Sequence, residues 1–497
     1  MINNHLMQEL SIEVIELNSH FSNSNTTNNR RPELVRDSKA LFIAEIIHII
    51  AGAGIIIILT RDLPLETYGL WVSIIAVFQL STILNFGFPT HIVRRASKSP
   101  TCLSALLKKI RRIQIVIAIL TIPACVLITI MLYGSKVYVE TPFIIVGFAL
   151  VASVLQQINR AGLRAIGEAP KEVMVTLLDR VTVLILLILI RILLGISLTL
   201  YILAYLSGPI LGFFASYYIV SRKTSKNNLD EAEYSMIIKD SAPFAIGLFA
   251  RPVRDGAIRI ILSAIGGFGI VAIFDIAWKA FMAGSSVTVA VRKSMLPLFS
   301  AAKEIEGELR KSLNHGWKLA NWLVQIGLIL GTASSYLIPV VFSDSYQQSQ
   351  TVFLLLLHSW GVMVISSPWV VAVESLMDGK YFAILKSFQV IVTLFVAVIG
   401  IYYFGVMGAA AGILAGELFI SWGSFVVTKS QGVPVPEVWG LVSPTAIILL
   451  IASINLYLIS GSMGPMWLLL PLSINILWMI TSGWKPEVPT MSPLTSG

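Results

Sequence analysis

Charge is scarce in this chain. Lys, Arg, Asp and Glu make up 13% of its 497 residues, while 56% are hydrophobic and the mean hydropathy is +0.81. A soluble domain carries about 25% charged residues, so most of this chain belongs in lipid. Cysteine is rarer still. Cys102 and Cys125 cannot build a disulfide framework, and no CxxC metal site occurs. No Walker A sequence, Gly-rich phosphate loop or nucleophile elbow is present. Neither an ATPase nor a catalytic domain is legible, no cofactor or metal is implied, and the chain reads as a non-enzyme.

What is abundant is the bilayer-length apolar run. Stretches of about 18–25 apolar residues are long enough to cross a membrane as helices. They occur near 40–60, 69–90, 113–133, 141–158, 173–194, 196–220, 241–263, 267–290, 319–342, 351–373, 382–404, 406–427, 438–459 and 464–484. The expectation is an all-α polytopic membrane protein with about 14 transmembrane helices.

Basic residues orient it. With a cytoplasmic N-terminus, the inner segments hold 28 Lys and Arg and the outer loops only Arg61, Lys136 and Arg191. An excess of this kind marks the cytoplasmic side, so both termini are expected there. The formal charge of +9 is thus a topology signal, and no nucleic-acid partner is implied. Residues 1–38 read as a disordered cytoplasmic tail with no cleavable signal peptide, and 486–497 as a second tail. The outer connections, such as "GGFG" at Gly266–Gly269 and "SDSYQQS" at Ser343–Ser349, are too short to house an extracytoplasmic glycosyltransferase or polymerase site. Transport remains.

One stretch breaks the apolar pattern. "LFARPVRDGAIRII" (Leu248–Ile261) places Arg251, Arg254, Asp255 and Arg259 inside the seventh span, around Pro252. A charge at the bilayer centre costs at least ~2.5–3.5 kcal/mol. At 100° per residue the four fall within an arc of about 140°, so one helix face is charged and must avoid lipid. Asp255 lies four residues from both Arg251 and Arg259 and can pair with either. In the eighth span Asp275 and Lys279 have the same spacing. Two readings of this face are open. In one, Arg251, Arg254, Arg259 and Lys279 hold a phosphate-bearing substrate in a water-filled cavity, a task suited to the planar guanidinium fork. In the other, the charges neutralise one another as structural pairs. The positive surplus favours the first. Glu45 with His48, Asp179 with Arg180, and Glu417 are further intramembrane charges. Helix–helix hydrogen bonding, with snorkelling for Arg180, accounts for them most simply. Ion coupling through Glu45, Asp179, Asp255, Asp275 or Glu417 is the alternative.

The chain also repeats itself. "LPLETYGLWVSIIAVFQL" (Leu63–Leu80) and "AIGGFGIVAIFDIAWKAF" (Ala264–Phe281) each pass from a short outer turn through an aromatic-Gly pair, Tyr68-Gly69 and Phe268-Gly269, into an apolar helix. Each helix ends in a basic cluster, Arg94-Arg95 or Arg292-Lys293. Six spans separate the copies, as in parallel repeats about an axis normal to the membrane. This divides the chain into a lobe of six helices over 39–220, a cytoplasmic linker over 221–240, a second six-helix lobe over 241–429, and a terminal helix pair over 430–485.

These residues resemble a family. "LTRDLPLETYGLWVSIIAVFQLSTILNFGFPTHIVRRAS" (Leu59–Ser97) is similar to the N-terminal signature of bacterial oligosaccharide-lipid flippases. The shared features are Glu66, Tyr68 and Gly69 at the turn, the Phe86-Gly87 pair and Arg94. "GVMGAAAGILAGELF" (Gly405–Phe419) is similar to the entry of their twelfth helix. That family sits in the multidrug/oligosaccharidyl-lipid/polysaccharide exporter superfamily. The resemblance implies two six-helix lobes around a central cavity with alternating access, in a bacterial inner membrane. The implied activity is translocation of polyprenyl-diphosphate-linked oligosaccharide repeat units to the outer leaflet for surface polysaccharides such as O-antigen, lipopolysaccharide or exopolysaccharide. It implies membrane lipid, a polysaccharide polymerase and chain-length proteins as partners. The dense charge of Leu248–Ile261 and the long N-terminal tail depart from the family pattern. A cation-coupled multidrug exporter, a peptidoglycan-precursor flippase and a non-transporting scaffold of a glycan-assembly complex are the alternatives.

Overall fold

The computed structural model describes residue 47, residues 50–80, 87–98, 100–134, 143–223, 233–302 and 307–433, and isolated positions between 447 and 477. The N-terminal tail and nearly all of the terminal helix pair expected from the sequence lie outside the described residues.

Every element among the described residues is helical. In chain order they are α1 (50–62), α2 (Leu65–Leu80), α3 (Phe88–Lys98), α4 (Leu103–Tyr133), α5 (Phe143–Ala165), α6 (Ala169–Leu193) and α7 (Leu198–Lys223). There follow α8 (Tyr234–Gly266), α9 (Phe268–Ala302), α10 (Glu308–Ser335), the short α11 (Leu337–Phe342), α12 (Gln347–Ile365), α13 (Ser367–Leu376), α14 (Gly379–Phe404) and α15 (Val406–Ser430). Among the described residues, seven helices are long and apolar enough to cross a membrane by length and composition alone. The charged α8 is not one of them. The chain is an all-α polytopic membrane protein.

Helix surfaces agree with a hydrocarbon surround. Ile119, Leu120 and Met131 on α4, and Phe395 and Tyr402 on α14, are well exposed. Such surface is a liability in water and the natural outer face of a helix in lipid. Association must then come from close packing, which small residues permit. Gly408, Gly412 and Gly416 form a stripe at every fourth position of α15. A Cβ on Gly408 would lie 1.9 Å from the Gly400 carbonyl carbon, and one on Gly412 would lie 2.7 Å from the Thr393 carbonyl oxygen. The "GVMGAAAGILAGELF" motif is therefore the packing face of the α14–α15 hairpin.

Helices before residue 224 pack with one another chiefly through α5, α6 and α7, and those after 233 through α9, α10, α12, α14 and α15. Between these groups the contacts run mainly from α2 to α8 and α9, with smaller ones from α3 and α4 to α8. The two repeat motifs meet here, at the N-termini of α2 and α9. Gly69 is pressed against the Phe268 carbonyl, and Glu66 Oε2 accepts a hydrogen bond from the Gly269 amide at 2.9 Å. Arg61 adds a clasp, donating to the carbonyls of Val340 and Val341 at 2.7 and 2.8 Å.

Candidate functional site

The charged face of α8 is answered by α9, and one residue sets the register. α8 stops at Gly266, α9 starts at Phe268, and Gly267 between them has φ 83°, in the range that favours glycine. After so tight a reversal, residues equally far from the turn on either side face each other. Arg259 and Asp275 are such a pair. Arg259 Nε and Nη2 reach Asp275 Oδ1 at 3.1 and 3.0 Å.

The other carboxylate oxygen is also occupied. Asp275 Oδ2 accepts from the Tyr68 hydroxyl at 2.8 Å and from Lys279 Nζ at 2.9 Å, the latter the i,i+4 pair expected from the sequence. Lys279 Nζ also donates to the Tyr68 oxygen at 3.0 Å, which closes a triangle. Tyr68 and Asp275 are buried, and Arg259 nearly so. The Lys279 side chain keeps 36% exposure. Two cations share one carboxylate here, so this cluster carries a net positive charge.

A second cluster lies along the same helix. Arg254 donates from Nε to Asp255 Oδ1 at 3.0 Å and from Nη1 to Glu417 Oε1 at 3.1 Å. Gln389 Nε2 donates to the same Glu417 oxygen at 3.0 Å, and Lys386 Nζ to Gln389 Oε1 at 3.0 Å. Among the described side chains these bonds join two cations, Arg254 and Lys386, with two carboxylates, Asp255 and Glu417, and Arg292 lies within electrostatic range of Glu417. The Trp278 ring stands between the clusters, its centroid 5.7 Å from the Arg254 guanidinium carbon and 5.9 Å from that of Arg259, close enough for cation–π attraction.

A cavity of about 190 Å³ opens beside the first cluster. It is bounded by α1, α2, α6 and α7 on one side and by α8 and α9 on the other. Among the described residues, Arg180, Arg259, Lys279 and Asp275 are its charged lining. Trp71 and Tyr205 form an aromatic wall, packed edge to face at 5.2 Å between ring centroids.

The sequence-derived site residues thus separate. Arg259, Lys279 and Asp275 come together at the cavity, whereas Arg254, Asp255 and Glu417 belong to the second cluster. Asp255 does not take Arg259 through its carboxylate, one of the two pairings that the spacing allowed. It takes its neighbour Arg254, because Asp275 captures Arg259 from across the hairpin; Arg259 Nη1 only reaches the Asp255 backbone carbonyl, at 3.4 Å. Arg251 lies on α8, with its side chain outside the described residues, and Glu45 and His48 lie outside them altogether. Asp179 is buried in α6, and a Cβ on Gly208 of α7 would lie 2.5 Å from its Oδ1. Among the described residues that oxygen has no hydrogen-bond partner.

Sequence reasoning missed Tyr68 as a site residue and took Arg180 for a snorkelling side chain. For Tyr68 no local signal existed, since its partners are more than 200 residues away. For Arg180 there was one: an arginine midway along α6 is far from either end to snorkel to.

A family model described as polysaccharide biosynthesis protein matches residues 34–303. No curated protein matches the sequence significantly. Among solved structures, the lipid II flippase MurJ in an inward closed conformation superposes with a TM-score of 0.64 at 14% identity, covering 90% of this chain and 98% of that one. An inward-facing multidrug resistance MATE family transporter of the MOP superfamily gives 0.62 at 16% identity, covering 80% and 98%. A MOP superfamily transporter from Pyrococcus furiosus, for which the reverse polarity of the binding pocket suggests a different function, gives 0.57 at 15%, covering 80% and 95%. At these identities the likeness establishes the fold.

Proposed function

The chain belongs to the polysaccharide biosynthesis protein family, and on that footing we propose that it flips polyprenyl-diphosphate-linked oligosaccharides from the cytoplasmic to the outer leaflet of a bacterial inner membrane. The observation that carries the reading is the charge of the first cluster at the cavity wall: among the described residues, Arg259 and Lys279 share the one carboxylate of Asp275. In a low-dielectric setting such a surplus attracts an anion strongly, and two guanidinium forks and an ammonium suit phosphate oxygens. An arriving diphosphate competes with Asp275 for Lys279 and Arg259, so binding loosens the triangle that ties Tyr68 of α2 to α9. The contacts of Arg61, Glu66 and Gly69 hold the outer turns of the two helix groups together, as alternating access requires of a state closed on that side. Arg251, whose backbone lies on the same helix, and Arg254 are secondary candidates for the diphosphate. Asp255, Glu417, Asp179 and Glu45 are candidates for charge pairing or ion coupling.

A cation exporter would need a cavity of the opposite sign. A peptidoglycan-precursor substrate would present the same diphosphate and is separated only by its sugar. A scaffold would need no such cavity.

The test is translocation of a fluorescent polyprenyl-diphosphate oligosaccharide in proteoliposomes, for wild type and for Lys279→Gln/Arg180→Gln. Wild-type flipping that is lost in a folded variant supports the proposal. Flipping that survives removes the cavity cations from it, and wild-type efflux of a cationic dye without flipping overturns the function itself.

A further inference from the structure

A second cavity, of about 250 Å³, lies between the end of α9 and the start of α10. Its mouth carries Lys311, Ser312 and His315, and its floor is Met295 and Phe299, both buried. Leu319 closes the side toward the middle of α10. On the orientation that the lysines and arginines favour, this is the cytoplasmic end of the helix pair.

The cavity continues into a surface stripe. Lys311, His315, Leu319, Trp322, Ile326 and Leu330 succeed one another at spacings of three and four residues, so they share one face of α10. Leu319, Trp322 and Ile326 are each about two-fifths exposed, and Leu330 is 64% exposed. Read from the cytoplasmic end, the face passes from cation through imidazole to indole and then to aliphatic surface. That is the polarity profile of a membrane phospholipid standing in its leaflet: phosphate, glycerol backbone, acyl chain. Basic pockets between transmembrane helices on the cytoplasmic side suit anionic headgroups. Among the described residues, Glu308 is the carboxylate paired with Lys311. It stands 3.9 Å from Lys311 Nζ and is half exposed, so it leaves the ammonium available to a phosphate.

We infer that the α9–α10 cleft binds an anionic phospholipid of the cytoplasmic leaflet, with its phosphate on Lys311 and His315 and an acyl chain along Leu319, Trp322, Ile326 and Leu330. This site is separate from the charged cavity at Arg259 and does not depend on the transport reading.

The experiment is native mass spectrometry of the full chain from detergent. Phosphatidylglycerol, phosphatidylcholine or free glycerol phosphate is added at equal concentration to wild type, Lys311→Ala/His315→Ala and Lys311→Glu. These side chains are exposed, so the variants fold, and an unchanged melting curve checks that they do. The expected result is retention of phosphatidylglycerol over phosphatidylcholine by wild type, by about fivefold or more. The double variant loses the preference, and Lys311→Glu lowers phosphatidylglycerol retention further. Equal retention of the two lipids by wild type overturns the proposal, as does an undiminished preference in both variants. Displacement of phosphatidylglycerol by equimolar glycerol phosphate would make this a soluble-anion site and overturns it too.

Discussion

Gly69 and Phe268 touch so closely that a Cβ on the glycine would lie 1.8 Å from the Phe268 carbonyl oxygen. They belong to the matching aromatic-Gly pairs of the two sequence repeats, and their contact joins α2 to α9. Gly69→Ala must push backbone away from backbone. Overpacking costs about 1–3 kcal/mol, and this substitution should fall at the upper end, seen as a lowered melting temperature in detergent. Gly269→Ala should be milder. Its Cβ would meet Glu66 Oε1 at 2.7 Å, and a side-chain tip can swing aside at the cost of its hydrogen bond to the Gly269 amide.

Among the described residues Asp275 is the one carboxylate bonded to Arg259, Lys279 and Tyr68. Asp275→Asn leaves two cations facing one another in a buried site and should destabilise by about 3–5 kcal/mol. Adding Arg259→Gln should recover part of that loss. Tyr68→Phe removes one hydrogen bond to a charged group and should cost about 1.5–3 kcal/mol. Thermal unfolding of the four proteins checks the order; a double variant no more stable than Asp275→Asn would contradict the pairing.

The bonds of the second cluster join two cations with two carboxylates, so it should behave as structure. Arg254→Met and Glu417→Met singly should each destabilise, and the pair together should lose less than the sum, with a coupling of about 1–3 kcal/mol. With the diphosphate seated at Arg259 and Lys279 and the second cluster structural, the folded double variant keeps flipping while Lys279→Gln does not, which removes Arg254 and Glu417 from the candidates for binding and coupling. Loss of flipping in both would bring the second cluster into the substrate path.

Arg61, at the end of α1, fastens it to α11 through two backbone carbonyls. Arg61→Ala removes both bonds without burying anything new. Spin labels on the C-terminal ends of α1 and α11 should then report a broader, longer distance distribution than in wild type. An unchanged distribution would leave the closure to Gly69 and Glu66.

Glu168, in the turn between α6 and its predecessor, bonds Lys223 at 2.8 Å and Lys171 at 3.1 Å. The hydrogen bond from Lys223 is the main reason its carboxyl is held below the usual 4.5. A carboxyl depressed in the folded state contributes stability above its unfolded value and loses it as pH falls through the lower folded value. The melting temperature should therefore drop as pH goes below about 4.5, and Glu168→Gln should show a shallower drop. Identical pH profiles would remove this pair from the acid response.

Much of the intra-hairpin geometry was within reach of the sequence. Once Gly267 is taken as a one-residue turn, Arg259 and Asp275 stand opposite by counting alone. The bilayer-length runs and the paired aromatic-Gly motifs were equally readable, because each rests on spacing along a single helix or across a single turn.

What the sequence by itself determined is a membrane chain of apolar helices with an expensive charged face that had to turn away from lipid. Only the tertiary structure decided how those charges divide. Tyr68 comes to Asp275 from 207 positions away and Glu417 to Arg254 from 163, and no local periodicity carries information over such separations. The net charge of a site is the sum over whichever helices pack around it. Four cations on two neighbouring helices could therefore be read as one anion site, whereas packing of α2, α6 and α15 left Arg259 and Lys279 sharing one carboxylate at the cavity and Arg254 paired with Asp255 and Glu417.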